Sequence, residues 1–586
     1  MHQSRTAHHS RTMRHSRTAR HAPPLVGPLL ATLLATLPIG IAPLAAQDGP
    51  GGRGPSRPGI DIEAYRFELT LRDDTDEITG RATVTVRFTT DGVTEVPLDL
   101  IGRSEDGRGM EVVGVTRGGG GDPPDNGEAL AHRHENDLLT VSLSDPGTTG
   151  ARATFTVGYR GIPASGLRIG PNKYGERTFF SDNWPNRARN WLPTVDHIGD
   201  KATCEFIITA PAHYQVVSNG RLVEETDLDG GMRLTHWKQS VRIPPWLYVV
   251  GVARFAVQHL GEFKGLPVQT WVYARDRDAG FHDFAVPTME VLHFYDAYVG
   301  PFAYEKLANI TSPATGGGME AATALMYGEN SVTGERSVRW RNVIIHEIAH
   351  QWFGNSVTES EWDDVWLSEG FATYFTLLFR EHAYGRDDFV AGLREAADRV
   401  WRWYDENPDY RIVHDNLTDM SRVTSVATYQ KGAWVLHMLR SRLGDEAFWR
   451  GIRLYYARHF NGTATTDDFM RAMEEASNDD LQAFFDQWLR QGGNPQLAGS
   501  WRYDAAAGAL EIELNQVQAV GRFDFPLEVG VYHNSDPLPA QVTTVEVRPG
   551  ANRFVIPVSA EPSDVRVDPN TRALFRAEFG RAGMGC

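Results

Sequence analysis

The chain has 586 residues, several times the usual size of a domain, which predicts roughly three to four domains. Hydrophobic residues make up 41% and charged residues 23%, a composition that excludes a disordered or collagen-like protein. Lys and Arg number 58 against 75 Asp and Glu, so the formal net charge of -17 argues against a nucleic-acid-binding protein. We therefore expect a multidomain globular protein without a nucleic-acid partner.

The N-terminal segment has the charge pattern of an export signal. Its first 46 residues contain five Arg and no Lys, Asp or Glu, and an apolar run from Leu25 to Ala46 follows the basic residues. That run contains three prolines and ends in small residues, which favours cleavage after Ala46 over a permanent membrane span. We expect residues 1–46 to be a signal peptide and the processed chain to be periplasmic or extracellular, not an integral membrane protein.

Short alternating segments follow a linker. Residues 47–58 are rich in Gly, Pro and Arg and predict that linker. Alternation of apolar and polar residues, as in Thr83–Phe88 and Thr154–Tyr159, predicts an N-terminal β-sandwich-like domain over 59–257. The glycine-rich stretch 118–127 lacks the Gly-Lys-Ser/Thr of a phosphate-binding loop, so it predicts a surface loop.

The hydrophobic period lengthens from about Val268 onward, and apolar residues then recur three and four apart, which is typical of helices. Thr465 with Asp468 also predicts a capping box at one helix start. We expect a mainly α domain over 258–494. The clearest predicted helices are Phe389–Tyr404, Lys431–Leu443 and Phe469–Leu489.

Alternation returns after the helical region and continues almost to the C terminus. Leu527–Tyr532, Val542–Val547 and Asn552–Val558 all alternate between apolar and polar residues. Strands of this length, separated by turn residues, are typical of a sandwich. We expect a C-terminal β-sandwich domain over 495–579.

A His-Glu-Ile-Ala-His sequence at 346–350 predicts the chemistry of the chain. On a helix His346 and His350 lie one turn apart on the same face, so both imidazoles can bind one zinc ion. Glu347 lies between them, where it can accept a proton from water. Glu369, at the start of a later helical pattern, is the expected third ligand, which leaves the fourth position that a catalytic zinc requires. The alternative interpretation is a chance match of this pattern on an ordinary core helix. We expect the zinc site instead, with one zinc ion per chain.

The residues around these ligands resemble those of a known family. The motif continues as Gln-Trp-Phe-Gly-Asn to residue 355, and Trp-Leu-Ser-Glu-Gly occupies 366–370. Both stretches resemble the aminopeptidase N family of zinc metallopeptidases, which includes alanyl aminopeptidases and leukotriene-hydrolase-type enzymes. The resemblance implies a thermolysin-like catalytic domain between the two β domains. It also implies a hydrolase that cleaves the N-terminal bond of peptides with a free amino terminus.

Two further segments gain roles through this resemblance. The sequence Gly317, Gly318, Met319, Glu320 is similar to the family's exopeptidase motif, whose Glu binds the free amino group of the substrate. These four residues are therefore expected to bind substrate. Tyr429 lies in a segment that resembles the family's Tyr-x-Lys-Gly, whose Tyr stabilises the tetrahedral oxyanion. Tyr429 is accordingly an expected catalytic residue, beside Glu347.

The chain departs from the family pattern at two positions. Ala321 stands where the motif has Asn, and Trp184 stands where the family usually places a second amine-binding Glu or Gln. Asp182, two residues before that tryptophan, is a candidate substitute for the missing anchor; the alternative is a structural aspartate. The departures bear on how tightly a substrate's amino terminus is bound and on whether one or two residues are released.

Other functions share parts of this pattern. A zinc endopeptidase of the thermolysin type or a dipeptidyl-releasing peptidase would use the same ligands, and a lipid-epoxide hydrolase activity occurs in leukotriene-type relatives. A non-catalytic peptide-binding protein is a different class, against which the complete set of ligands argues. The sequence leaves the oligomeric state, the physiological substrate and the preferred first residue open.

Overall fold

The computed structural model describes residues 57–119, 127–413, 420, 423–533 and 537–583. The predicted signal peptide and all but the end of the predicted linker lie outside these ranges, as does 120–126 of the predicted glycine-rich loop. Every helix within these ranges is too short or too polar to cross a membrane.

The N-terminal part of the described chain is built from strands. Apolar residues at alternate positions, as in Ile78–Phe88, point into the core between sheets, so the predicted β-sandwich-like domain is confirmed. The strands are β1 Ile60–Thr70, β2 Ile78–Phe88, β3 Val93–Asp99, β4 Gly109–Arg117, β5 His132–Glu135, β6 Leu138–Gly147, β7 Arg152–Ile162, β8 Leu167–Pro171, β9 Arg177–Ser181, β10 Ala202–Pro211, β11 Gln215–Ser218, β12 Arg221–Leu228, β13 Met232–Ile243 and β14 Val250–Ala253.

These strands form three sheets. A seven-stranded sheet has the order β12-β13-β10-β1-β2-β7-β4, with β1 and β10 parallel in register Phe67 to Phe206. A four-stranded sheet has the order β11-β14-β9-β8, and a three-stranded sheet the order β3-β6-β5. The four-stranded sheet carries Asp182 just beyond the end of β9.

The central part combines a small sheet with helices. The strands of this sheet are β15 Phe255–Phe263, β16 Leu266–Tyr273, β17 Leu307–Ser312, β18 Gly318–Met319 and β19 Ala324–Gly328, and a separate pair is β20 Thr358–Glu359 and β21 Thr463–Ala464. The sheet has the order β15-β16-β17-β19-β18, so the two-residue strand β18 lies at an edge. The predicted boundary between 257 and 258 falls inside β15, because this strand pairs with β16 along its whole length.

The helices share a hydrophobic core with strands of that sheet. They are α1 Arg277–Tyr298, α2 Val338–His350, α3 Trp366–Tyr384, α4 Arg386–Glu406, α5 Gly432–Leu443, α6 Asp445–His459, α7 Thr466–Ser477 and α8 Gln482–Leu489. The capping box at Thr465 and Asp468 is confirmed. The single predicted helix over 469–489 is wrong, because Asn478 adopts a left-handed φ of 58° and ends α7 before α8 begins.

The predicted C-terminal sandwich is confirmed. The strands are β22 Gln496–Asp504, β23 Ala509–Gln516, β24 Phe525–Tyr532, β25 Gln541–Val547, β26 Ala551–Pro557, β27 Asp564–Val567 and β28 Arg576–Arg581. They form two sheets with the orders β26-β23-β22-β28 and β25-β24-β27. The sandwich shares one hydrophobic core with the helices, where the ring of Trp488 in α8 lies tilted against Phe523 at 5.2 Å between ring centroids.

Candidate metal centre and substrate site

Two adjacent helices bring the three predicted zinc ligands together. Nε2 of His346 lies 3.1 Å from Nε2 of His350, and both nitrogens lie 3.2 Å from Oε2 of Glu369. Tetrahedral zinc with bonds of about 2.0–2.2 Å separates its ligand atoms by about 3.3–3.6 Å. A triangle of two imidazole nitrogens and one carboxylate oxygen at this spacing fits a zinc ion.

The surroundings of His350 fix which ring nitrogen faces the triangle. Its Nδ1 lies 3.1 Å from the carbonyl oxygen of Phe353 and 3.0 Å from the hydroxyl oxygen of Ser368, and both oxygens can accept a hydrogen. The proton therefore belongs on Nδ1, which leaves the lone pair of Nε2 free for a metal. Gly354 is required here, because a Cβ on it would lie 2.2 Å from Oγ of Ser368 and its φ is +102°.

Negative charge is concentrated around the same histidine. Oxygens of Glu320 and Glu347 lie within 4.8 Å of one another and of a His350 nitrogen. Although burial opposes it, the carboxylates of Glu320 and Glu369 raise the pKa of His350 to about 10. Burial raises the pKa of Glu320 to about 7. A buried group of carboxylates is costly without positive charge, so a divalent cation suits this site.

The edge strand β18 passes directly against Glu347. This carboxylate is buried, and a Cβ added to Gly318 would lie 2.0 Å from its Oε1. Only glycine leaves room for the carboxylate at this position. Gly317 accepts a hydrogen bond from Gly328 N at 2.8 Å, and Met319 is buried, so the segment is fixed on both sides of Gly318.

The backbone of Glu320 is held by two side chains that follow the C-terminal end of α2. Its carbonyl oxygen accepts hydrogen bonds from Nε2 of Gln351 at 3.0 Å and from Nδ2 of Asn355 at 2.7 Å. Its side-chain Oε1 lacks a hydrogen-bond partner among the described residues and lies 4.0 Å from Nδ1 of His350. Ala321, in place of the family's Asn, is buried. The carboxylate of Glu320 is thus positioned through its own backbone while one oxygen stays unpaired.

Tyr429 lies in a π-helical turn, Ala427–Lys431, immediately before α5. Such turns are rare and frequently occur at functional sites. Its hydroxyl donates to Oε1 of Glu369 at 2.5 Å, and burial raises the pKa of Tyr429 well above its usual value, so the phenol keeps its proton. The close approach depends on two glycines, since a Cβ on Gly370 would lie 3.1 Å from Cα of Gly432.

Asp182 and Trp184 have partners outside the zinc triangle. The carboxylate of Asp182 accepts from Nη2 of Arg187 at 2.7 Å and from the backbone N of Trp184 at 3.2 Å. The ring of Trp184 lies edge-on against Trp246 and Trp362, each with centroids 4.9 Å away. The structure thus supplies a structural role for Asp182 and places Trp184 in an aromatic cluster.

The sequence analysis missed the residues that hold the ligands and the Glu320 segment in place through hydrogen bonds. Ser368, Gln351 and Asn355 belong to the stretches that carry the family resemblance, and Gln351 and Ser368 are also direct neighbours of a ligand in the sequence. Lys201 gave no such signal. Its ammonium group is buried and donates to the carbonyl oxygens of Asn355 at 3.0 Å, Ser356 at 2.8 Å and Gly462 at 2.7 Å.

Comparisons with known proteins agree with this arrangement. The family model described as Peptidase M1 N-terminal domain matches residues 62–247, and the one described as Peptidase family M1 domain matches 285–488. Glutamyl aminopeptidase of Bitis rhinoceros is 30% identical over 339 residues, which is 54% of this chain and 34% of that protein. Aminopeptidase M1 of Arabidopsis thaliana is 27% identical over 355 residues, 58% of this chain and 39% of that protein. The matches therefore span little more than a third of these relatives' length.

Solved structures match over a larger share of their own length. An M1 zinc metallopeptidase from Deinococcus radiodurans, as a glutamate-to-alanine mutant, has a TM-score of 0.62 and 25% identity, and covers 74% of this chain and 94% of its own. The same mutant bound to a Tyr-Ser-Ala substrate gives the same values. With two family models that together match more than half of the sequence, and with this fold, the chain belongs to the peptidase M1 family of zinc metallopeptidases, the aminopeptidase N family.

Proposed function

We propose that this chain is an exported zinc-dependent aminopeptidase that hydrolyses the N-terminal peptide bond of peptides with a free amino terminus. The main support is Glu320, a buried carboxylate whose Oε1 has no hydrogen-bond partner among the described residues. Such an atom is costly unless something pairs with it, and an α-ammonium group would do so. An anchor of this kind, beside the zinc ligands, restricts cleavage to the first peptide bond.

His346, His350 and Glu369 would hold one zinc ion per chain, because their converging atoms fit its geometry. The chemistry that bound zinc supplies is that of a Lewis acid, which polarises carbonyl groups and lowers the pKa of water. Glu347 accepts a proton from the attacking water and passes it to the leaving amine. Its contact with the backbone at Gly318 keeps the carboxylate in one place between the ligands and the amine anchor.

Tyr429 stabilises the oxyanion in this proposal. Its hydroxyl donates to Glu369 in the substrate-free arrangement. Stabilisation of the oxyanion therefore requires that hydrogen bond to be exchanged for one to the substrate oxygen. A neutral phenol is a suitable donor, since the pKa of Tyr429 is raised by its burial.

A comparison of free and N-acetylated substrates tests the proposal. The zinc-loaded chain should hydrolyse an alanyl reporter substrate with a kcat/KM at least about 100 times that for its N-acetyl analogue. Glu320→Ala should lower kcat/KM for the free substrate and keep the zinc, whereas Glu335→Ala, an exposed Glu of the same domain, should change neither. Equal hydrolysis of the two substrates would instead favour an endopeptidase, and mass spectrometry of the products separates single-residue from dipeptide release.

The exported location rests on residues 1–46 alone. Their basic start, apolar run and small terminal residues are the pattern of a cleaved signal. N-terminal sequencing of the protein recovered from the cell envelope or medium should give a chain beginning at Gln47. Recovery of the full-length chain from the cytoplasm would contradict export without affecting the catalytic proposal.

A further inference from the structure

The turn between β18 and β19, directly after Glu320, contains a residue in an unfavourable backbone conformation. A hydrogen bond from Ala324 N to the carbonyl oxygen of Ala321 closes this turn at 3.0 Å. Thr323, the third residue of the turn, has a φ of +67° and is fully buried. Gly or Asn normally supplies a positive φ at this position, and a β-branched residue adopts it rarely and at a cost in free energy. Contacts of the threonine side chain that glycine cannot make would offset that cost.

The hydroxyl oxygen of Thr323 accepts two such hydrogen bonds. Gly220 N donates to it at 2.7 Å, and Nζ of Lys306 donates to it at 3.3 Å. Gly220 lies in the N-terminal β domain, where the same ammonium group also donates to the carbonyl oxygen of Ser218 at 2.7 Å. Because Gly220 is buried, its N–H would lose an acceptor that water does not readily replace if the hydroxyl were removed. The hydroxyl of Thr323 therefore links the turn to the N-terminal β domain.

The other side of the turn is held by Gln351, which directly follows the ligand His350. Oε1 of Gln351 accepts from Thr323 N at 3.0 Å, and Nε2 of the same side chain donates to the carbonyl oxygen of Glu320 at 3.0 Å. One amide group thus supports the backbone of both Glu320 and Thr323. A displacement of the turn at Thr323 is therefore passed on to Glu320.

We propose that Thr323 is a positioning residue for Glu320, and that its hydroxyl fixes the amine anchor relative to the N-terminal β domain. The inference rests on the proposed aminopeptidase function. Since Oε1 of Glu320 lacks a hydrogen-bond partner among the described residues, the place of this oxygen depends on the backbone that carries it. Loss of the Thr323 hydroxyl should therefore raise KM for free-amine substrates by about 3-fold to 10-fold and change kcat less.

Three substitutions separate the hydroxyl from the backbone conformation. Thr323→Val keeps the shape and removes the acceptor, Thr323→Gly removes the acceptor and the cost of the positive φ, and Thr323→Ser keeps the hydroxyl. KM for an alanyl reporter substrate should rise about 3-fold to 10-fold in the Val and Gly variants and stay within about twofold of the wild type in the Ser variant. A rise in KM confined to Thr323→Val, the variant with both strain and a lost acceptor, would indicate a purely structural role and overturn the proposal.

Thr571→Val is the control, because Thr571 is another buried threonine with a positive φ, of 57°, and lies in the C-terminal sandwich. It should leave KM unchanged. In a Glu320→Ala background, Thr323→Val should raise KM no further, because no anchor is left to position. The proposal is overturned if Thr323→Val leaves KM unchanged, if the Ser variant or the control raises KM equally, or if the effects of Thr323→Val and Glu320→Ala multiply.

A wild type that cleaves none of the peptides would refute the proposed function, and binding then decides the role of Thr323. The zinc-loaded chain is titrated calorimetrically with alaninamide and with N-acetylalaninamide, which lacks the free amine. Binding that requires the free amine, and that weakens in Thr323→Val but not in Thr323→Ser, supports the positioning role. Binding that is equal in the three proteins, or absent from the wild type, overturns it.

Discussion

Glu347 is the residue on which turnover depends in this account. It is buried, lies against the backbone at Gly318 and shares its surroundings with His350 and Glu320. Its position is therefore fixed by packing as well as by its place on the zinc-binding helix.

Replacing Glu347 by Gln keeps the shape and removes the proton acceptor. We expect Glu347→Gln to lose about 100-fold to 10,000-fold in kcat, because general base catalysis is worth about that much. The zinc content should stay that of the wild type, since Glu347 is not one of the three ligands. Steady-state kinetics and metal analysis on the same preparation check this, and a variant with wild-type kcat would contradict the role.

Asn355 is expected to act on the substrate through Glu320. Asn355→Ala removes one of the two donors to the carbonyl of Glu320, at a cost of about 1–2 kcal/mol. KM for free-amine substrates should rise about 5-fold to 30-fold with a smaller change in kcat, and zinc should be retained. Asn342→Ala is the control, because it removes an amide that contacts Arg341 in the preceding helix α2. A loss confined to kcat, with KM unchanged, would contradict a positioning role.

Among the site residues, the sequence predicts those whose relative positions are set by spacing along one helix. His346 and His350 follow from helix periodicity, and the structure brings both to Glu369. Asn355 and Ser368 act through hydrogen bonds to a carbonyl and to a ring nitrogen, which depend on how two loops meet in space. Membership in the family motifs points to these two residues, but no spacing rule gives their partners, so the contacts themselves became visible only in the fold.

Two helical elements meet at a pair of glycines next to the metal centre. Gly370 directly follows the ligand Glu369, and Gly432 begins α5 just after the turn that carries Tyr429. The absence of side chains at this contact lets the hydroxyl of Tyr429 reach Glu369. The contact between α3 and α5 thereby sets the position of Tyr429, the proposed oxyanion donor.

Gly432→Ala should push these elements apart. The added Cβ would lie 3.1 Å from Cα of Gly370, and we expect destabilisation of about 1–3 kcal/mol together with a fall in kcat. If the fall in kcat arises through Tyr429, then combining Gly432→Ala with Tyr429→Phe should cost less than the sum of the two single changes. Chemical denaturation and a double-mutant cycle in kcat measure both effects. Strict additivity would contradict the link to Tyr429.

Lys201 connects the N-terminal β domain to the segment that follows the zinc-binding helix. Lys201→Met leaves three carbonyl oxygens, including that of Asn355, without their charged donor. We expect a loss of about 2–4 kcal/mol in the free energy of unfolding. Lys238→Met is the control, since Lys238 forms a partly exposed ion pair with Glu205 and its loss should cost less than about 1 kcal/mol. Equal losses in the two variants would contradict the structural importance of Lys201.

The elements that the sequence predicted well are those with clear periodicity. The strand over 83–88 lies within β2, and the helix over 431–443 differs from α5 by one residue. The sheet of the catalytic part was not predicted, because a strand such as Leu307–Ser312 is buried at every position and shows no alternation. The break at Asn478 was missed because apolar spacing continues on both sides of it.

At the scale of the whole molecule, the parts are joined by buried polar contacts as well as by apolar packing. Nε2 of His437, in α5, lies 2.8 Å from the carbonyl oxygen of Thr571 in the C-terminal sandwich. Asn219 of the N-terminal domain donates to the carbonyl of Ala322, next to the Glu320 segment, at 2.7 Å. Both β domains therefore touch elements that build the site.

Removal of the metal should destabilise the whole molecule. A ligand that binds only the folded state adds about 4 kcal/mol when present at 1,000 times its dissociation constant. We expect a chelator to lower the melting temperature by several degrees and added zinc to restore it. Calorimetric scans of the two forms make the comparison. An unchanged melting temperature, with metal removal verified, would contradict a site that depends on zinc to balance its buried carboxylates.

Zinc content per chain tests the central claim most directly. Elemental analysis of the purified wild type, loaded with zinc and freed of excess metal, should give about one zinc ion per chain. His346→Ala, His350→Ala and Glu369→Ala should each lose most of it, whereas Glu347→Gln should not. A wild type that retains no zinc, or ligand variants that retain as much as the wild type, would contradict the metal centre described here.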